Sequence, residues 1–396
     1  MIFAGKNIVV GVSGSIASYK APELVRSLQK KGANVRVVMT PSAKEFIGEL
    51  TFKALTNFQV LSDWKDGETG LEHIYWARWA DSFVIAPASA NTIAKLAIGL
   101  TDNFLTSMAL AYDKPIVIAP AMNTKMFENH PTKENINKLK TWGHIIIEPC
   151  EGKLACNEEG TGKLADIEDI ETGILFSIVP KTLKGKKVLI TAGGTREFFD
   201  PIRFISNASS GQMGYSLAKI AYALGGDVIL ISAPTCLKKP YGVKTIDVVS
   251  AREMYEEVIK RLDEVDVVIM NAAVADFRPK EYKNSKLKKD KESTTIELTP
   301  NPDILKEIGK RKRKNQIIIG FAAESEKLIE NAKNKLKRKN LDVIIANKVD
   351  VFSTQTHKGF IIFNNGKIIE IPELDKDSSA LFILNTIFDE VEKNGV

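Results

Sequence analysis

A cysteine, a histidine and a set of small hydroxyl and amide side chains form the reactive inventory of the first half of the chain. Cys156 lies in EGKLACNEEGTGKLAD, a long polar loop that also holds Gly152, Gly160 and Gly162. A cysteine in such a loop is either an exposed thiol without a role or an acid or nucleophile carried on a lid. His73 lies in LEHIYWARWA, surrounded in sequence by Leu71, Ile74, Trp76 and Trp79. A lone histidine in that setting is either a satisfied core group or a base. Four short loops, GVSGSIA, TPSA, PASANT and PAMN, supply Ser13, Ser15, Thr40, Ser42, Ser89, Asn91, Thr92 and Asn123. Neutral hydrogen-bonding groups on small side chains suit a flat aromatic ring and one phosphate, the needs of a flavin-type mononucleotide. GVSGSIA lacks the full GxGxxG pattern, so the signal comes from the four loops together.

The second half carries charge instead. TAGGTREFFDPIRFISNASSGQMG, from Thr191 to Gly214, leaves a strand and enters a helix. Its glycines and its hydroxyls (Ser206, Ser209, Ser210) allow a backbone to approach a ligand closely, and a loop of N–H groups feeding a helix N-terminus suits phosphate. Arg196, Asp200 and Arg203 set it apart from an ordinary glycine-rich surface loop. Downstream, NAAVADFRP carries Asn271, Asp276 and Arg278, KNSKLKKDK carries Lys286, Lys288 and Lys289, and GFAAE offers Phe321 as an aromatic that could stack on a base. Lys335 and Lys339 form an i, i+4 pair on one helix face. Lysines for phosphates and amides for sugar and base fit a nucleoside triphosphate. The sequence GxxxxGK[ST] is absent, which excludes a standard P-loop enzyme. Between Lys280 and Lys339 there are 18 Lys/Arg against 9 Asp/Glu, whereas the whole chain carries only +6. That concentration fits a polyphosphate ligand, a nucleic acid or a solvated helix face.

The elements that must position these groups repeat. KNIVVGVSGSIASYKAPELVRSLQKKGANVRVVMT is strand, Gly/Ser loop, helix, turn, strand, and KKVLITAGG…SSGQMGYSLAKIAYALGGDVILIS follows the same order. Ala21, Leu24, Val25 and Leu28 in one helix, and Leu217, Ile220, Ala221 and Leu224 in the other, fall at i, i+3, i+4, i+7 and give each helix one buried face. Two such βαβ openings predict an α/β chain of two doubly wound, mostly parallel domains in tandem, Rossmann-like or flavodoxin-like, spanning 1–185 and 186–396. The boundary is the polar stretch Pro180–Lys186. Runs at Ser82–Ala86, Pro115–Ala119 and His144–Glu148 read as buried strands of the first domain. In the second, NPDIL reads as a helix entry with Asn301 as cap and Pro302 in the first turn, and FIIFNNGKIIEI as a hairpin on an Asn-Asn-Gly turn. The rule that ligands bind at the carboxyl ends of parallel strands gathers the four hydroxyl loops into one site. No apolar run is long enough for a membrane span, no signal-peptide pattern opens the chain, and three cysteines make no disulfide framework. A cytoplasmic enzyme is the expectation. Two dinucleotide-dependent oxidoreductase domains would need an acidic residue ending the second strand of each repeat, where the chain has VVMT and ILIS.

The motifs GSIAxYK, PASANT, PAMN and LAC…EGTGKL, followed by TAGGTRE, DPIRFISN, SSGQMG, NAAVADFRP, KLKK, NPDIL and GFAAE, run in order through both halves. Through them the chain resembles, end to end, the family of bifunctional coenzyme A biosynthesis proteins, in which a phosphopantothenoylcysteine decarboxylase is joined to a phosphopantothenate–cysteine ligase. The resemblance implies an FMN-dependent decarboxylase in residues 1–185. By motif position Gly14, Ser15, Thr40, Ser42, Ser89, Asn91, Thr92 and Met122 would line the FMN. His73 would be the base of an oxidative step at the cysteinyl thiol, Asn123 would hold the departing carboxylate and Cys156 would return a proton. For residues 186–396 it implies CTP-dependent amide formation through an acyl-cytidylate, with Mg²⁺ accompanying the nucleotide. Asn207 would bind the acyl-cytidylate and Lys286 would assist its formation. Ser210, Gly211, Asn271, Ala272, Asp276, Pro302, Asp303, Ile304, Leu305, Phe321, Lys335 and Lys339 would bind CTP together with Lys286. The partners implied are 4′-phosphopantothenate, cysteine and CTP, with no nucleic acid and no membrane, in a homo-oligomer with trimeric decarboxylase and dimeric ligase contacts. The chain departs from the family pattern at Asn157, where glycine is expected, and at Phe198, where proline is commoner.

Overall fold

The computed structural model describes residues 1–155, 157–288, 295–324, 326–348 and 356–393. Its chain divides into two compact units, Met1–Val179 and Pro180–Val396. The division falls at the start of the polar stretch rather than after Gly185. Residues 180–185 pack with the second unit: Leu183 is buried, and its N–H donates to the Leu224 carbonyl at 3.0 Å.

In the first unit the strands are β1 (Asn7–Val12), β2 (Asn34–Met39), β3 (Ser82–Ala88), β4 (Val117–Pro120) and β5 (Ile145–Ile146). They form one parallel sheet in the order β2-β1-β3-β4-β5. The helices are α1 (Ala21–Lys30), α2 (Glu49–Thr56), α3 (Glu72–Trp79), α4 (Ala90–Ile98), α5 (Phe104–Ala111), α6 (Thr124–Glu128), α7 (His130–Thr141) and α8 (Ile167–Ile178). The central strands are apolar nearly throughout because helices cover both faces; every residue of β3 is buried. Helix α1 buries Ala21, Leu24, Val25 and Leu28, the face its spacing dictates. The chain leaves β1 toward β2, then crosses back to β3, so the order reverses between β1 and β3. That crevice is where a doubly wound sheet binds ligands. The polar loop around Cys156 is more regular than its composition suggests. Residues Cys150–Lys153 (β6) and Glu159–Lys163 (β7) pair as an antiparallel hairpin.

In the second unit β8 (Lys187–Ala192), β11 (Asp227–Ser232), β12 (Lys244–Asp247), β13 (Val267–Met270), β16 (Ile317–Glu324) and β17 (Val343–Lys348) run parallel, and β18 (Thr356–Phe363) and β19 (Ile368–Asp375) add an antiparallel edge. The order is β12-β11-β8-β13-β16-β17-β18-β19, and it reverses between β8 and β13. Helices α9 (Gln212–Ala223), α10 (Ala251–Arg261), α11 (Ile304–Arg311), α12 (Leu328–Arg338) and α13 (Lys376–Lys393) flank it. Short pairs β9 (Arg196–Phe198) with β10 (Phe204–Ser206), and β14 (Phe277–Pro279) with β15 (Leu298–Pro300), order the loops above its carboxyl edge. The FNNGK turn closes the β18–β19 hairpin as its sequence predicts. Leu217, Ile220, Ala221 and Leu224 are all fully buried. The cap of α11 is Asp303, whose Oδ1 accepts the Lys306 N–H at 3.0 Å, and not Asn301. Asn301 instead donates from Nδ2 to the Ala275 carbonyl at 2.9 Å, tying the NPDIL and NAAVAD segments together. Among the described residues no helix is long and apolar enough to cross a membrane.

Candidate active sites

At the carboxyl edge of the first sheet a chain of hydroxyl contacts joins the four loops. Ser13, fully buried, donates from Oγ to the Pro87 carbonyl at 2.8 Å and accepts the Ser89 N–H at 2.8 Å, so the ends of β1 and β3 are clamped together. Ser89 caps α4, accepting the Thr92 N–H at 3.3 Å, with the Thr92 hydroxyl 3.2 Å away. Thr40 Oγ1 lies 3.1 Å from Ser42 Oγ, and the Thr40 N–H donates to the Val12 carbonyl at 3.0 Å. Gly14 is required by this closeness, because a Cβ there would stand 2.6 Å from Ser42 Oγ. Ser15 Oγ reaches the Ala121 carbonyl at 3.4 Å, linking the first loop to PAMN. Ser42 and Asn91 are exposed at the edge, and Thr92 is buried. The arrangement offers hydroxyls and the N-terminus of α4 in a small cradle, and these residues fit a mononucleotide with one phosphate. The ends of β2 and β11 carry Thr40 and Ser232, both buried, with no acid for a dinucleotide ribose.

The PAMN loop meets the β6–β7 hairpin. The Met122 N–H donates to the Gly162 carbonyl at 3.0 Å. Asn123 caps α6 through Oδ1 and donates from Nδ2 to Glu158 Oε2 at 2.8 Å. Cys156 lies outside the described residues. Its neighbour Asn157 has φ +61°, the left-handed conformation that favours glycine and that asparagine tolerates best among the other residues. This explains how the chain departs from the expected glycine there without losing the turn.

His73 is not joined to the hydroxyl cluster by any hydrogen bond among the described residues. Two aromatic rings from outside its helix join it: Trp64 meets the ring edge-on at 5.2 Å and Phe104 at 6.0 Å. Trp79 turns to Arg36, whose guanidinium sits 4.2 Å from its ring. His73 Nδ1 is buried with no hydrogen-bond partner, an orphaned ring nitrogen in an aromatic enclosure. Leu71, Trp64 and Tyr75 beside it are exposed.

At the carboxyl edge of the second sheet the loops after β8 and β13 are zipped together at the reversal of strand order. Ala273 N–H donates to the Gly193 carbonyl at 2.9 Å, and Gly194 pairs with Ala273. Thr191 and Thr195, both fully buried, accept the N–H groups of Ala272 and Ala275 at 3.1 and 3.0 Å. Sequence patterns alone give these threonines no role. Asn207 donates from Nδ2 to the Val274 carbonyl at 3.1 Å. Gly211 takes φ +77° just before α9, and a Cβ would stand 2.7 Å from Thr235. Arg196, Asp200 and Arg203 serve to order the long loop, and Asp200 and Arg203 also fasten Leu287. Asp200 is fully buried and accepts from Arg203 Nε at 2.9 Å and from the N–H groups of Ile202, Arg203 and Leu287 at 2.9, 2.7 and 3.2 Å. Burial opposes its ionisation, but the Arg203 guanidinium and these N–H groups outweigh burial and hold the carboxyl well below the usual range. Arg196 lies 4.7 Å over the Phe204 ring.

Two cavities open on this edge. One of about 560 Å³ is lined by Asn207, Ser210, Gly211, Asn271, Ala272, Asp276, Phe321 and Lys335. The other, of about 480 Å³, is lined by Pro302, Asp303, Ile304, Leu305, Lys335 and Lys339, and shares Ala272, Asp276 and Phe321 with the first. Of these, Ile304 is a core residue by its side chain and Asp276 is exposed. Lys335 donates to the Phe321 carbonyl at 2.8 Å. Lys339 is buried and ion-paired with Asp303; burial pulls its ammonium below the ordinary lysine value, against the pull of Asp276. Lys286 is exposed and lines neither cavity; the adjacent Leu287 is fastened to Asp200 and Arg203. Lys289 lies outside the described residues. Asn347, His357, Lys376 and Arg338 also line the cavities and are not evident from motif patterns.

Residues 3–178 match the family described as Flavoprotein, and residues 183–391 match the one described as DNA/pantothenate metabolism flavoprotein C-terminal domain. The chain is 44% identical over 387 residues to the coenzyme A biosynthesis bifunctional protein CoaBC of Borreliella burgdorferi, covering 97% of this chain and 99% of that one. It is 44% identical over 392 residues to the protein of the same name from Bacillus subtilis, covering 96% of each. A solved crystal structure of the C-terminal domain of a coenzyme A biosynthesis bifunctional protein CoaBC is 43% identical, covers 54% of this chain and 99% of that domain, and superposes with a TM-score of 0.47. The chain belongs to the family of bifunctional coenzyme A biosynthesis enzymes.

Proposed function

We propose that this chain, as a member of that family, catalyses two consecutive steps. Its second unit ligates cysteine to 4′-phosphopantothenate using CTP, and its first unit decarboxylates the product to 4′-phosphopantetheine using FMN. The observation that carries this assignment is the contrast between the two carboxyl edges: neutral hydroxyls on the first, lysines around paired cavities on the second.

FMN, when bound, supplies the two-electron chemistry that gives the departing carboxylate an electron sink. Thr40, Ser42, Ser89, Asn91 and the first turn of α4 would hold it, with Gly14, Ser15, Thr92 and Met122 shaping its cradle. His73 would accept a proton at its unpartnered Nδ1. Asn123 would hold the substrate carboxylate through its amide, Cys156 would donate a proton, and the hairpin that carries it would exclude water. In the second unit the carboxylate of 4′-phosphopantothenate attacks the α-phosphate of CTP and pyrophosphate leaves. The cysteine amine then displaces CMP. Lys335, Lys339 and Lys286 would neutralise phosphate charge, Mg²⁺ would accompany the nucleotide, Phe321 would stack on the base and Asn207 would bind the acyl-cytidylate.

The exposed apolar side chains beside His73 favour an assembly in which another copy completes the flavin site, with trimeric contacts through the first unit and dimeric contacts through the second. A reducing cytoplasm is the proposed compartment, in keeping with free thiols at Cys150 and Cys236. Product analysis tests the ligase step. CMP and pyrophosphate should appear in equal amounts, and only when CTP, 4′-phosphopantothenate and cysteine are all present. Formation of CDP and phosphate instead would overturn the acyl-cytidylate route.

A further inference from the structure

One end of the larger cavity has no part in the assignments above. It is formed by His357 near the start of β18 and Lys376 at the first residue of α13. The sequence Asp375-Lys376-Asp377 suggests a lysine neutralised by its neighbours, but both acids are committed elsewhere. Asp375 accepts the Ser378 N–H at 2.9 Å and the Ser378 hydroxyl at 2.6 Å, closing the first turn of α13. Asp377 accepts from Ser216 Oγ at 2.8 Å and is ion-paired with Lys219 of α9. Among the described residues none pairs with the half-buried Lys376 ammonium. A cation at a helix N-terminus also opposes the helix dipole, so this end of the cavity is positive twice over. His357 is buried, with Nδ1 2.8 Å from Ser379 Oγ. Burial first, and the Lys376 charge second, push it down to about 4, so it stays neutral beside the lysine.

We propose that Lys376, lining this end of the cavity with His357, binds a phosphate group of a substrate there. The inference rests on the assignment of the second unit as the CTP-using ligase. Two substrates bring phosphate, CTP and 4′-phosphopantothenate, and calorimetric titration of the full chain distinguishes them. Lys376→Met should weaken one phosphorylated ligand by about tenfold or more, with Lys376→Arg keeping most of the affinity. Loss for CTP with CMP little changed assigns the β- and γ-phosphates. Loss for 4′-phosphopantothenate with pantothenate little changed assigns the 4′-phosphate. Lys376→Gln replaces the methionine variant if the latter does not fold. Wild-type affinity of the neutral variant for both phosphorylated ligands overturns the inference and leaves the ligase assignment standing. A wild-type protein that binds neither overturns both.

Discussion

The two units use one topological device for opposite kinds of site. In each, the strand order reverses next to the first strand of the unit, and the loops beyond the carboxyl ends of the flanking strands are stitched together. In the first unit the stitching is done by serine and threonine hydroxyls, and His73 stands apart from them against Trp64 and Phe104. In the second, buried Thr191 and Thr195 fix the backbone, and lysines and aspartates line the cavities above it. Topology locates a site, while side-chain inventory decides what it binds. It follows that each activity should be separable from the other by substitution.

The largest expected separation comes from His73→Asn. CO₂ release from preformed phosphopantothenoylcysteine should fall on the order of a thousandfold, with CMP formation unchanged. Equal loss of both activities would remove the distinction between the sites.

Next is acid stability, which should set the units apart through His357. Its value in the folded state is lowered to about 4. Between there and the ordinary histidine value the unfolded chain binds more protons, so stability falls as pH drops through this window. The loss is on the order of 3 kcal/mol, and His357→Gln should flatten it. All four tryptophans lie in the first unit, so their emission follows that unit alone. Calorimetry should then show the acid-sensitive transition to be the one without an emission change.

Asp200→Asn is expected to lower ligase turnover by about tenfold, because Arg203 and Leu287 lose the carboxylate that holds them and the Lys286 segment beside them. The depressed carboxyl gives its full contribution above about pH 4 and loses it only well below that. Acid unfolding of the variant should therefore differ from wild type at neutral pH and converge with it in strong acid. Decarboxylation of preformed substrate should be unaffected.

The smallest effect is expected from Asn157→Gly. The residue already holds a left-handed conformation, so the decarboxylase rate should change by less than about twofold. A large change would mean that the asparagine side chain itself acts at the lid.

Periodicity made the fold legible. The buried faces of α1 and α9 and the parallel strands follow directly from apolar spacing. Motif order made the sites legible as sets of loops. What local patterns could not reveal was long-range partnership. Asp200, Arg196 and Arg203 have the composition of a ligand site yet are spent on ordering their own loop and the Leu287 segment. Trp64 and Phe104 reach His73 from segments outside its helix. Asn301 looks like a helix cap, but Asp303 is better placed and Asn301 bridges to Ala275 instead.

The central claim, two coupled activities on two differently furnished sheets, is tested most directly on the purified full chain. Its visible absorption spectrum is recorded, and CO₂ release is then followed with 4′-phosphopantothenate, cysteine and CTP. A flavin band is expected, with CO₂ release that stops when CTP is withheld and returns when preformed phosphopantothenoylcysteine is supplied. A colourless protein that forms the cysteine amide without releasing CO₂ would contradict the assignment of the first unit, and one that does neither would contradict the account as a whole.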